Sequence, residues 1–193
     1  MANGRPNLVF VFPDQFRQQS LGCMSQDPVV TPNFDRFAAR SRVLTHAVSN
    51  RPVCSPYRAM LFTGKYPHAN GVLTNCNSDT VQYDCYLRDT DRCLTDILHD
   101  ADYSQGYIGK FHLDPPTDAH SEYTEGPRGD GKIWDTYTAP GPRRHGIDFW
   151  HSYGCCDNHL HPHYWEGDAR LEERIDVDDW SVRHETDVAV DFI

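Results

Sequence analysis

Leu8-Val9-Phe10-Val11-Phe12 is an unbroken apolar run of strand length, and it restricts the possible folds more than any other stretch. A run without polar alternation suits a strand covered on both faces, as in the parallel sheet of an α/β protein. Helix-like and strand-like segments alternate after it. Thr31-Pro32 reads as an N-cap and first helical residue, with Phe34, Phe37 and Ala38 at helical spacing. Residues 42–48 have the composition of a second strand. Leu94, Ile97 and Leu98 mark a helix over about 90–100, and residues 103–108 read as a third strand. This alternation predicts an α/β fold with a mainly parallel central sheet flanked by helices. Asp14 falls just past the first run, and in open α/β sheets ligand sites gather beyond the carboxyl ends of strands.

Length and charge narrow the function. A chain of 193 residues is long enough for one domain with a real core. Its net charge of −10 argues against nucleic acid or an anionic membrane as partner. An anionic substrate would therefore need a local cationic site, and with only three lysines each one is informative. No stretch approaches transmembrane length and no secretory signal is visible at the N-terminus, so a cytoplasmic location is the default expectation. Seven cysteines, an odd number without zinc-knuckle spacing, read as reduced thiols, with Cys155-Cys156 as two packed or half-exposed neighbours.

From about residue 114 to 165 periodicity vanishes, and the segment reads as irregular, with an active-site loop as its functional interpretation. Within it, His159, His161 and His163 alternate, which in an extended segment would place them on one face, although Pro162 interrupts any regular strand. Pro140-Gly141-Pro142-Arg143-Arg144 reads as a surface turn. Ser181 is a candidate cap for a last helix whose apolar face is Val188, Ala189, Phe192 and Ile193.

The chemistry concentrates in Cys54-Ser55-Pro56-Tyr57-Arg58 and its continuation to Gly64. Ser55 is a good N-cap, Pro56 suits the first helical position, and Gly64 is placed to end the helix. Cys54 then precedes a helix N-terminus, where free N–H groups and the dipole favour an anion. Arg58, one turn in, offers a planar fork of donors to a tetrahedral oxyanion. A second short stretch, Gly109-Lys110-Phe111-His112-Leu113, directly succeeds the third expected strand.

Both stretches resemble motifs of the type I sulfatases. The pattern C-x-P-x-R-x-x-L-x-T-G is similar to the signature whose cysteine is oxidised to formylglycine, with Tyr57 where most members have a small residue. The second resembles the family's G-K-W-H-L, with Phe111 in place of Trp. The resemblance implies an alkaline-phosphatase-like fold and a sulfuric ester hydrolase. In it Cys54 is the nucleophile precursor, Arg58 holds it, Lys110 binds a sulfate oxygen and His112 acts as a base. It also implies a divalent cation (Ca²⁺, or Mg²⁺ or Mn²⁺) on Asp14, an oxygen of the matured Cys54 and the Gln15 amide. Implied partners are a small-molecule or carbohydrate sulfate ester and a formylglycine-generating enzyme. Pro13-Asp14-Gln15 carries one carboxylate where many members have two in succession. That keeps a phosphonate monoester or phosphodiester hydrolase of the same superfamily as an alternative. The family is more than twice as long as this chain, and the chain stops on two large apolar residues. Residues 1–193 are thus expected to be the N-terminal part of a catalytic domain, with a catalytically incomplete fragment as the remaining alternative.

Overall fold

The computed structural model describes residues 4–117, 121–126, 128–155 and 158–193. The backbone divides into two compact units, Met1–Val48 and Ser49–Ile193.

In the first unit, helix α1 spans Pro32–Ala38 and begins, as its sequence predicts, with proline at the first turn. Thr31 occupies the N-cap position, but its hydroxyl is used elsewhere. It accepts the Gly22 N–H at 2.8 Å and donates to Asp35 Oδ1 at 2.9 Å. Asp35 Oδ1 also accepts the Cys23 N–H, which ties α1 to the short 3₁₀ turn Gly22–Met24. The two strands expected here, 8–12 and 42–48, are not formed: both segments run as coil, and Val11 is 84% exposed. A strand exists only through a neighbour that completes its hydrogen-bond ladder, and no partner strand lies within the described residues of this unit. Apolar composition alone does not supply one.

The second unit holds the sheet. Helix α2 spans Cys54–Thr63, the short α3 Pro67–Asn70 and α4 Leu94–Asp100. Strands β1 (Gly106–Lys110), β2 (Phe149–Tyr153), β3 (His163–Glu166) and β4 (Ile175–Asp176) form one sheet in the order β1-β2-β3-β4. The α/β layering stands as expected. The parallel pairing is β1 with β2, Gly106 to Lys110 lying opposite Phe149 to Tyr153, and β3 and β4 are added antiparallel. Helix α5, Ser181–Phe192, packs on β1. Its Phe192 ring lies where a Cβ on Gly106 would approach to 2.9 Å, and it stacks on Phe149 at 5.0 Å. Ile193, counted in the expected apolar face, is instead exposed.

Two strands thus lie inside the stretch whose sequence reads as irregular. The reason is their environment. Four of the five β2 residues are buried, so both faces are covered, and His151 and Ser152 among them erase the alternation that announces a strand. The core between β1, β2 and α2 is built on Ala59, Phe62, Phe111, Leu113 and Trp150. Phe111 meets Phe62 edge-on at 5.7 Å and Trp150 at 5.1 Å, arrangements that aromatic quadrupoles favour. Among the described residues no helix is long and apolar enough to cross a membrane.

Gly109 is where β1 bends into the Lys110–Leu113 stretch. Its φ of +92° is one that side chains rarely adopt, and a Cβ there would stand 2.9 Å from Glu185 Oε2 of α5. Gly109→Ala is therefore expected to cost about 2 kcal/mol of unfolding free energy. The check is urea denaturation, with a lower midpoint at an unchanged slope.

Candidate active site

The site is built where the start of α2 meets the end of β1. Helix α2 begins two residues earlier than its sequence suggests: Val53 is the extended N-cap, and Cys54 is the first helical residue. Ser55 is then inside the helix. Its N–H donates to Asn75 Oδ1 at 3.0 Å, and its hydroxyl accepts the Cys76 N–H at 3.0 Å. Both bonds pin the first turn to the 75–76 backbone, and the Asn75 amide oxygen satisfies one of the donors that a helix start leaves open. Pro56, in the same turn, has no N–H to satisfy. Gly64 closes the helix in the left-handed conformation (φ +65°), its N–H donating to Met60 O at 2.8 Å, as expected.

Cys54, half-buried at this turn, meets a residue 56 positions away. Lys110 Nζ lies 3.6 Å from Cys54 Sγ. Arg58 does not face open solvent: it is 4% exposed. Its Nη1 donates to the Tyr107 hydroxyl at 3.1 Å and to the carbonyl oxygen of Lys110. The Tyr107 hydroxyl itself donates to that carbonyl at 2.6 Å. A buried guanidinium demands such partners, because an unpaired buried charge costs several kcal/mol (about 3–5 when one partner is removed).

His112 is buried and adopts a left-handed φ of +49°. Its Nε2 lies 2.9 Å from Cys76 O. A carbonyl only accepts, so Nε2 carries the proton and Nδ1 presents a lone pair. That Nδ1 is buried with no hydrogen-bond partner among the described residues. Burial, and then the nearby Lys110 charge, push the imidazole pKa down to about 3. The ring is neutral at ordinary pH and holds an available lone pair, which is the state a proton acceptor needs. The half-buried Trp134 stands beside it, ring centroids 6.3 Å apart.

Asp14 and Gln15 occupy an exposed turn of the first unit, Gln15 at φ +51°. A carboxylate and an amide oxygen are the hard donors that Ca²⁺ or Mg²⁺ takes, although two side chains supply only part of a shell of six or more. Among the described residues, the cluster with side chains spaced for a metal is another one: Cys93, Asp96 and His145. Its geometry is that of a helix cap. Asp96 Oδ2 accepts the Cys93 N–H at 2.8 Å and lies 3.2 Å from His145 Nδ1, while burial pushes the Cys93 thiol up to about 12.

The histidines of the third segment separate. His163 is buried, with Nε2 2.7 Å from Asp135 Oδ2, whereas His161 pairs at the surface with Asp178 and His159 lies against Ser181. They do not share a face, because Pro162 and the entry into β3 reorient the chain. Arg144 is also not a surface residue. It is buried, with its guanidinium 4.8 Å from the centre of the Trp150 ring, and it donates to Thr138 O at 3.0 Å. Arg143 pairs with the buried Asp114 at 2.8 Å. Cys155 is buried, and its neighbour Cys156 lies outside the described residues. Tyr107 and Asn75 belong to the site and carry no local sequence signal, since each acts through a partner distant in the chain.

The sulfatase family profile matches residues 6–158. The chain belongs to the sulfatase family. It is 43% identical over 97% of its length to an endo-4-O-sulfatase of Bacteroides thetaiotaomicron, of which it covers 38%. It is 34% identical over 85% of its length to an ulvan-active sulfatase of Formosa agariphila, of which it covers 27%. A crystal structure from Bacteroides fragilis, described as a yidJ sulfatase, superposes with a TM-score of 0.92 at 41% identity, over 97% of this chain and 40% of that one. The chain spans about two fifths or less of these relatives. Family membership brings with it an alkaline-phosphatase-like fold and, by implication, formylglycine and a divalent metal.

Because His112 is held neutral, its folded pKa of about 3 lies below the unfolded value of 6.5. Between the two, the unfolded chain binds a proton that the folded chain does not, so His112 lowers stability as pH falls from 6.5 towards 3. In His112→Gln, whose amide N–H can still reach Cys76 O, the fall in stability over this window should be shallower by up to one proton. Urea unfolding of both proteins at pH 7 and pH 4 measures it.

Proposed function

We propose that Cys54 is matured to formylglycine and that the protein of which this chain is part hydrolyses sulfate esters of a carbohydrate. The observation that carries the reading is the approach of Lys110 Nζ to Cys54 Sγ at the N-terminus of α2. Matured Cys54 supplies a hydrated aldehyde, one hydroxyl for attack on sulfur and the other for the later release of sulfate. A divalent cation (Ca²⁺, Mg²⁺ or Mn²⁺) would supply positive charge to the ester oxygens, and Asp14 and Gln15 would offer it a carboxylate and an amide oxygen.

The chain's own groups then divide the work. The ammonium of Lys110 binds a sulfate oxygen and stabilises the negative charge that grows on it during transfer. Arg58 holds the Lys110 carbonyl, and so the strand end, against the helix that carries position 54. The α2 N-terminus adds its dipole to the anion site. His112, with Nδ1 open, accepts the proton that must leave before sulfate is expelled, the negative charge of the bound anion offsetting the burial and the Lys110 charge that otherwise disfavour its imidazolium form. The relatives named as endo-4-O- and ulvan-active sulfatases support a sulfated carbohydrate as the substrate class. The single carboxylate of Pro13-Asp14-Gln15 supports the second reading, a phosphonate or phosphodiester hydrolase working with the same nucleophile.

Co-expression with a formylglycine-generating enzyme tests maturation. The tryptic peptide Val43 to Arg58 should lose ~18 Da, and an unchanged thiol would remove the nucleophile from this reading. In the matured protein, Lys110→Ala should lower kcat/KM on an aryl sulfate by about a hundredfold or more. A strong preference for an aryl phosphonate over the sulfate would favour the second reading.

A further inference from the structure

We infer that Tyr107 is a positioning residue for Lys110: its hydroxyl, bonded between Arg58 and the Lys110 carbonyl, sets where the Lys110 ammonium stands beside Cys54. The inference takes Cys54 and Lys110 as the reacting pair from the function proposed above, and it adds a residue that neither motif contains.

On a regular strand, residues three apart point to opposite faces, so Tyr107 would have no access to Lys110. The left-handed Gly109 between them breaks that alternation. The turn brings the Lys110 carbonyl within 2.6 Å of the Tyr107 hydroxyl, which donates to it. The same hydroxyl accepts from Arg58 Nη1 at 3.1 Å. Arg58 stands four residues after Cys54 on α2, so the phenol closes a bridge between the element bearing the thiol and the element bearing the ammonium. Burial raises the Tyr107 pKa above its ordinary value, and the phenol remains protonated and able to donate.

The ring itself is fixed. It stacks on Trp150 at 5.4 Å with 23° between the planes and meets Phe111 edge-on at 5.5 Å. Trp150 is its register partner on β2. Packing therefore holds the ring whether or not the hydroxyl is present. The hydroxyl is left with one office, to hold a carbonyl that Arg58 also binds. Losing it frees the strand end by one bond while the aromatic cluster persists.

Tyr107→Phe removes that hydroxyl, and the thiol form of the protein reports the result without any need for sulfatase turnover. An ammonium beside a sulfur speeds its alkylation by stabilising negative charge on it. The experiment measures iodoacetamide labelling of Cys54 by peptide mass spectrometry, relative to the exposed Cys23, with buried Cys76, Cys93 and Cys155 as monitors of the fold. Lys110→Met should slow Cys54 labelling about fivefold. Tyr107→Phe should slow it about twofold to threefold, with the buried thiols still protected. In the double variant, Tyr107→Phe should add nothing, because its effect passes through Lys110. A merely structural role predicts the opposite sign: faster labelling of Cys54 together with exposure of the buried thiols. That outcome, an unchanged Cys54 rate in Tyr107→Phe, or no effect of Lys110→Met would each overturn the inference. None of these results depends on whether the ester cleaved is a sulfate, so this inference and the proposed activity fail separately.

Discussion

Everything the site can do depends on the bond between the Arg58 guanidinium and the Lys110 carbonyl. Arg58 is carried by α2 and Lys110 by β1, and the two elements are separated by some fifty residues of chain. Because Arg58 is buried, its charge must be met by acceptors inside the fold, and the Lys110 carbonyl and Tyr107 hydroxyl are among those it finds. Satisfying that demand draws the end of β1 against the start of α2. The approach of Lys110 Nζ to Cys54 Sγ is the consequence. A residue that reads in sequence as a donor to substrate is, in the folded chain, first a donor to its own scaffold.

The electrostatics of the site work against the molecule as a whole. The chain carries a net charge of −10, yet the ground around Cys54 gathers one of its three lysines, a buried arginine and a helix N-terminus. In a partly desolvated place such local charges outweigh distant ones, which solvent and salt screen. The same local charge reaches His112. Burial is the larger cause of its neutrality, and Lys110 adds to it. One cation thus has two effects: it attracts an anion, and it disfavours the imidazolium form of its neighbour.

The structure also separates chemistry from architecture among residues of one type. His163 with Asp135, and His145 with Asp96, are hydrogen-bonding or capping histidines within the scaffold, whereas His112 combines an open Nδ1 with the nearby Lys110 charge. His145 shows how little such an open atom means by itself. Its Nε2 is also buried without a partner among the described residues, but its surroundings are a helix cap and not an anion site. A lone pair becomes a candidate base only where something nearby needs a base.

By itself the sequence determined the local pieces: the α2 segment and its glycine stop, the proline start of α1, the α/β class, and the two motifs that name Cys54, Arg58, Lys110 and His112. Each is written in residues a few positions apart, because caps, turns and helix periods are short-range properties. Tertiary structure decided the rest. It left 8–12 and 42–48 as coil, for a strand is a relation between segments and no partner lies within the described residues of their unit. It made strands of Phe149–Tyr153 and His163–Glu166, where burial on both faces had erased the pattern. It turned Arg58 and Arg144 inward, sent His159, His161 and His163 to three different surroundings, and brought Tyr107 and Asn75 into the site. Most of these outcomes hang on contacts between residues fifteen or more positions apart, and a hydrogen bond across such a distance leaves no mark on the residues beside it in the chain.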